Sequence, residues 1–79
     1  MLTAEELATR IQYYNPKSNF KMIVNAHKYG QIKHEGQFRK SGEKYFSHPV
    51  AVAEILADQQ LDDATIETAL LHDTIEDTS

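Results

Sequence analysis

The stretch Leu70-Leu71-His72-Asp73-Thr74-Ile75-Glu76-Asp77 places one imidazole and three carboxylates within six residues. Neutral imidazole and carboxylate are the usual protein ligands of a hydrated divalent cation, and acids left over beside such an ion can handle the protons of its water. On a helix, His72 and Glu76 stand one turn apart, as do Asp73 and Asp77, so two adjacent polar stripes result. His72 and Asp73 are about 100° apart around the axis, so one ion touches both only from the seam between the stripes. A histidine from another element must complete such a site. His48 is the candidate, because Ser47-His48-Pro49 reads as a helix start, with Ser47 or His48 at the cap and Pro49 at the first helical position. Acids at 73, 76 and 77 near a helix C-terminus oppose the helix dipole and one another, a cost that a bound cation would remove. An exposed acidic helix end, with its histidine paired to a neighbour, accounts for the octapeptide equally well.

A second stretch offers charge of the other sign. From Gly36 to Ser47 the helical period lapses, and Arg39, Lys40 and Lys44 occur with Tyr45 and Phe46. Cations beside aromatic faces suit a nucleotide or phosphate ligand, while a solvated basic turn is the more economical reading of the loop alone. His27 and His34, seven apart, would share a helix face and could share an ion. With no carboxylate at matching spacing, packing or surface roles outweigh that reading.

Helices must position these residues. Thr3-Ala4-Glu5-Glu6 is a capping-box pattern that opens a first helix, with an apolar stripe Leu7, Ile11, Tyr14 that Asn15-Pro16 closes. Asn15 is expected to cap a second helix with Pro16 at its first position, and Phe20, Ile23, Val24 and His27 continue one face. Gly30 should weaken this helix and Gly36 end it. A third helix follows Pro49, with Val52, Ile55 and Leu56 as its expected buried face and Leu61 as an interhelix contact. Asp62 or Asp63 caps the fourth, where Ile66, Ala69 and Leu70 face the core. No run alternates long enough to be a strand, so the class is all-α.

Composition narrows the function classes. A chain of 79 residues with 41% hydrophobic and 25% charged content is at most one soluble domain, with a core that leaves only about 3–5 kcal/mol of net stability. The absence of cysteine excludes disulfides, thiolate metal sites and thiol nucleophiles. A net charge of −4 argues against direct nucleic-acid binding as the main role. No apolar run approaches membrane-spanning length and the N-terminus has no leader pattern, so no membrane role and a cytoplasmic location are expected.

Taken together, Gly36-Gln37-Phe38-Arg39-Lys40-Ser41-Gly42-Glu43-Lys44-Tyr45-Phe46-Ser47-His48-Pro49 and the stretch 61–78 resemble the N-terminal hydrolase domain of the RelA/SpoT family of alarmone enzymes, part of the HD phosphohydrolase superfamily. The similarity runs from about Phe20 to Thr78. It implies an HD-domain-like bundle of about four helices, incomplete relative to the full family domain, so that residues 1–79 form the N-terminal part of one hydrolase domain. It further implies a manganese ion (Mn2+) held by His48, His72, Asp73 and a second aspartate that lies downstream of Ser79 in the family. Glu76 and Asp77 match the acidic pair that positions water and moves protons. Arg39, Lys40 and Ser41 match the loop that contacts the guanine nucleotide. The reaction implied is removal of the 3′-diphosphate of guanosine tetra- or pentaphosphate, (p)ppGpp, as pyrophosphate, leaving GDP or GTP. Lys44 departs from the family pattern, which commonly has proline there.

The first expectation is therefore a guanosine-3′,5′-bis(diphosphate) 3′-pyrophosphohydrolase segment, truncated or split, weak alone and completed by a complementing polypeptide. The alternative is a non-catalytic remnant that acts as an interaction or regulatory module. A different HD-type nucleotide phosphohydrolase is a third.

Overall fold

The computed structural model describes residues 2–77, with side chains described through residue 72. Its described residues form four helices: α1 (Ala4–Tyr14), α2 (Phe20–Lys33), α3 (Ser47–Asp58) and α4 (Asp63–Asp77). No strand occurs among them, and the all-α class expected from the sequence holds.

Helix α1 begins with the expected capping box: the Thr3 hydroxyl accepts from the Glu6 amide at 3.1 Å, and the Glu6 carboxylate accepts from the Thr3 amide at 2.9 Å. Leu7, Ala8 and Ile11 are buried along its inner face. Helix α2 starts later than the sequence implied. Asn15 closes α1 and its side chain accepts from the Lys17 amide at 3.2 Å, while Asn19 caps α2 by accepting from the Met22 amide at 3.1 Å. Ser18 and Asn19 are held instead by α4, whose Asp63 accepts from the Ser18 hydroxyl at 2.7 Å and from the Asn19 amide at 2.8 Å. This tertiary clasp decides where α2 begins. Asp62 caps α4 by accepting from the Thr65 amide at 3.0 Å, and the Thr65 hydroxyl first and then this amide hold its carboxyl below the usual carboxylate range.

Helix α3 also differs in detail. Its cap position is Phe46, and the Ser47 hydroxyl donates backward to the Lys44 carbonyl at 2.7 Å, so no side chain caps the helix. Pro49, Val50, Ala53 and Ala57 are its buried face, while Ile55 is 57% exposed and Val52 and Leu56 are only half-buried. Ser47 already belongs to the helix, whose inner face is Val50, Ala53 and Ala57 in place of the expected Val52, Ile55 and Leu56. It ends in a Schellman motif, with the Leu61 amide bonded to the Leu56 carbonyl and Gln60 in the left-handed region at φ 60°. The Tyr14 hydroxyl donates to the Leu61 carbonyl at 2.6 Å, tying α1 to the α3–α4 connection.

The core joins Leu7, Ile11, Ile23, Val50, Ile66 and Leu70 around one very close approach. A methyl group at Gly30 of α2 would stand 2.5 Å from Phe46 Cε1 and 2.9 Å from the Leu70 carbonyl oxygen. Gly30 does not interrupt α2, as the sequence suggested it might weaken it. It lets a loop ring and the α4 backbone pack directly on the helix. Gly-to-Ala changes in helix interiors normally stabilise by about 0.5–1 kcal/mol. At Gly30 the sign should reverse: Gly30→Ala is expected to destabilise by roughly 1–2 kcal/mol, because the Leu70 carbonyl cannot swing aside as a side chain can. Urea unfolding of the two proteins checks this, and a more stable variant would refute the close approach.

Candidate metal and nucleotide site

Residues 37–45 form a tight hairpin. Phe38 and Lys44 pair across it, the Arg39 amide bonds to the Glu43 carbonyl at 2.8 Å, and the Tyr45 amide bonds to the Gln37 carbonyl at 2.9 Å. The turn closes with the Gly42 amide on the Arg39 carbonyl at 2.9 Å, and Gly42 supplies the positive φ of 91° that the return requires. Arg39, Lys40 and Ser41 thus occupy the hairpin tip, all exposed, and with Phe38 and Tyr45 they line one surface hollow. The ladder amides belong to Arg39 and Tyr45 and not to Lys44. A proline at position 44 would therefore forfeit no ladder bond, and the lysine there adds a cation.

The chain leaves the hairpin through Phe46, which is buried on Gly30, and His48 follows two residues later in the first turn of α3. The His48 amide donates to the Tyr45 carbonyl at 3.2 Å, and Pro49 is buried behind it, so the backbone carrying this imidazole is fixed while the side chain faces solvent. On α4 the pattern repeats. Leu70 is buried with its carbonyl against Gly30, and exposed His72 lies two residues on. Each imidazole therefore follows, by two residues, an anchor on the same glycine. His72 borders an open groove with Leu56, Ala64, Thr65, Thr68 and Ala69. Glu67, one turn before Leu71, has its carboxyl pushed above the usual range by partial burial and then by the charge of Asp63.

Asp73, Glu76 and Asp77 belong to the last turns of α4, and their side chains lie outside those described. Among the described residues no cluster of three or more histidine and acidic side chains gathers. Two imidazoles carried on packed helices are of the donor type that suits a hydrated divalent ion.

The other two histidines have a different task. His27 and His34 are buried and flank Phe46: the His27 ring meets it edge-on, with centroids 5.3 Å apart, and the His34 ring stacks at 6.2 Å. His34 also leans on Tyr45 at 4.7 Å, and its Nδ1 is 2.8 Å from Gln37 Oε1. The packing role preferred from spacing is the observed one. What spacing did not reveal is Phe46 and Gly30 as the positioning pair. The available signal was a lone glycine inside an otherwise apolar helical pattern.

The chain belongs to the HD-domain family, whose model matches residues 26–79. Over all 79 residues it is 52% identical to the GTP pyrophosphokinase rsh of Brucella melitensis biotype 1. Over 78 residues it is 50% identical to the bifunctional (p)ppGpp synthase/hydrolase SpoT of Escherichia coli strain K12, and equally so to a guanosine-3′,5′-bis(diphosphate) 3′-pyrophosphohydrolase of Shigella flexneri. Essentially the whole chain is covered, and it spans about 10–11% of the length of these curated relatives. The RelA/SpoT resemblance drawn from the two motifs is thereby borne out. No described helix is long and apolar enough to cross a membrane.

Burial of His27 lowers its pKa below the ordinary value of 6.5, against the opposing charges of Glu5 and Glu54. Neither ring nitrogen has a hydrogen-bond partner among the described residues, so the proton is bound more readily by the unfolded chain. Stability should accordingly fall as pH drops through the ordinary imidazole range, and level off below the folded value. Urea midpoints measured between about pH 7.5 and 5.5 are expected to decline, with His27→Phe removing most of the slope. An unchanged slope in that variant would assign the titration to other groups.

Proposed function

We propose that this chain is the N-terminal part of an HD-type (p)ppGpp 3′-pyrophosphohydrolase domain, with residues 1–79 as one domain segment. The observation that carries the reading is the common anchorage of the hairpin and α4 on Gly30, which sets His48 and His72 at fixed places on packed helices. Family membership and the printed activities of the relatives supply its chemistry.

In this reading His48, His72 and Asp73 hold a divalent cation, taken to be manganese, and Glu76 and Asp77 position water and move its proton. The bound ion would acidify water and offset the charge of the diphosphate. Arg39 and Lys40 bring cationic donors to the guanine nucleotide, and Ser41 adds a hydroxyl at the same hairpin tip. An exposed, well-tethered turn can meet a large anion without first desolvating its own charges. In this reading the second aspartate of the family's metal shell is supplied by polypeptide other than residues 1–79. Location in the cytoplasm follows from the nucleotide substrate.

Alone, the 79-residue chain should bind manganese weakly and release little or no pyrophosphate from ppGpp. An incomplete shell forfeits more than the ~10–100-fold in affinity that loss of an outer-shell partner costs. Mixed with the remainder of a family hydrolase domain, it should regain manganese-dependent hydrolysis, which His72→Ala and Asp73→Ala abolish. Robust turnover by the chain alone, or complementation indifferent to both substitutions, would overturn the assignment. The second outcome would leave a non-catalytic module.

A further inference from the structure

Helix α2 has an outer face that the site does not use. Its exposed arc carries Met22, Tyr29 and Ile32, which are 51%, 52% and 68% exposed and fall along one line of the helix. Phe38, 62% exposed, continues that line onto the hairpin. The charges on the helix itself are one-sided, although Glu35, just past its end, joins the lining of the cavity described next. Although the chain has 12 acidic residues, α2 has none, while Lys21, Lys28 and Lys33 border the apolar line. Lys28 is joined to Glu5 at 3.2 Å and Lys33 lies 5.5 Å from the Tyr29 ring centre, which leaves Lys21 at the first turn and Lys33 at the last facing outward.

The line ends at a cavity of about 230 Å³ whose walls include Ile32, His34, Phe38, Lys44 and Phe46. His34 is 2% exposed; its Nδ1 is engaged by Gln37, while its Nε2 has no hydrogen-bond partner among the described residues. With Nδ1 donating to Gln37 Oε1, Nε2 is left as an acceptor. The apolar wall and the Lys44 cation together suit an aromatic side chain.

We propose that the outer face of α2 is a docking surface for an acidic amphipathic helix of another polypeptide, which lays its apolar stripe along Met22, Tyr29 and Ile32 and seats a tryptophan or tyrosine in the cavity beside His34. Charge complementarity selects the partner's sign: acids flanking its stripe would meet Lys21, Lys33 and Lys44. The cavity selects an anchor, since binding energy concentrates in aromatic residues that fill a desolvated pocket. An anionic membrane fits less well, because it would use the lysines and the apolar line but not the cavity, and the chain's net charge of −4 opposes it. Phe38 also walls the hollow at the hairpin tip, so a seated helix abuts the back of Arg39, Lys40 and Ser41.

The test is a nuclear magnetic resonance titration of the labelled 79-residue chain with a designed helix that carries a leucine stripe, flanking glutamates and a central tryptophan. Shifts should cluster on amides 22–38. Replacing the peptide's glutamates by lysine, or its tryptophan by alanine, should weaken binding roughly tenfold or more, as loss of an anchor does. Ile32→Ser and Phe38→Ser should do the same; both side chains are exposed, and unchanged circular dichroism would confirm that the fold persists. Shifts centred on another face, indifference to peptide charge or to these substitutions, the same shifts on concentrating the chain alone, or stronger binding to phosphatidylglycerol vesicles would each overturn the proposal.

Discussion

Everything that positions the candidate site passes through the place where Gly30 meets Phe46 and Leu70. A helix normally keeps its neighbours at 8–10 Å because side chains intervene. Removing one Cβ lets an aromatic ring from the hairpin and a backbone carbonyl from α4 rest directly on α2. Two segments distant in sequence thus share one reference point, and each offers a solvent-facing imidazole two residues further on. Small residues on α3 extend the same logic, since Ala53 and Ala57 are buried where larger residues would hold that helix away.

The four histidines divide along this line. His27 and His34 lie inside and hold Phe46 between them; His48 and His72 lie outside. Burial keeps the His27 ring neutral as a packing element, and His34 stacks on Tyr45 and Phe46. The inner pair therefore shapes the fold on which the outer pair depends, without taking part in its chemistry.

Local signals were legible wherever the interaction that decides the structure is itself local. The capping box at Thr3 and Glu6, the cap at Asp62 and the inward face of Ile66 and Leu70 are all readable within a few residues. The start of α2 was not, because Asn15 and Asn19 are equally good caps by composition, and the choice is made by Asp63, 44 residues from Asn19. The inner face of α3 was misread for a related reason. Its large residues suggest Val52, Ile55 and Leu56, but Val50, Ala53 and Ala57 are the ones that join the core. As to the site, motif reading placed His48 and His72 on the correct elements and Arg39, Lys40 and Ser41 in one loop. It could not show the hairpin turn that presents those three together, nor the glycine that anchors both halves. Steric contact between segments far apart in the chain leaves no periodicity to detect.

Charge is distributed along the same division of labour. The acids from the Asp62 cap through Asp63 and Glu67 to the C-terminal turns crowd one helix, and Glu67 has its pKa raised by partial burial and then by the charge of Asp63. The lysines of α2 stand on the opposite account, with no acid on their helix. Were the acids there only to keep the chain soluble, dispersing them would serve better, since like charges one turn apart oppose the helix that bears them. In the proposed reading a cation would offset that repulsion, and its binding would become part of the free energy that holds α4 in place. In a core this small, the same residues that would bind the metal also govern how firmly the helix that carries them is folded.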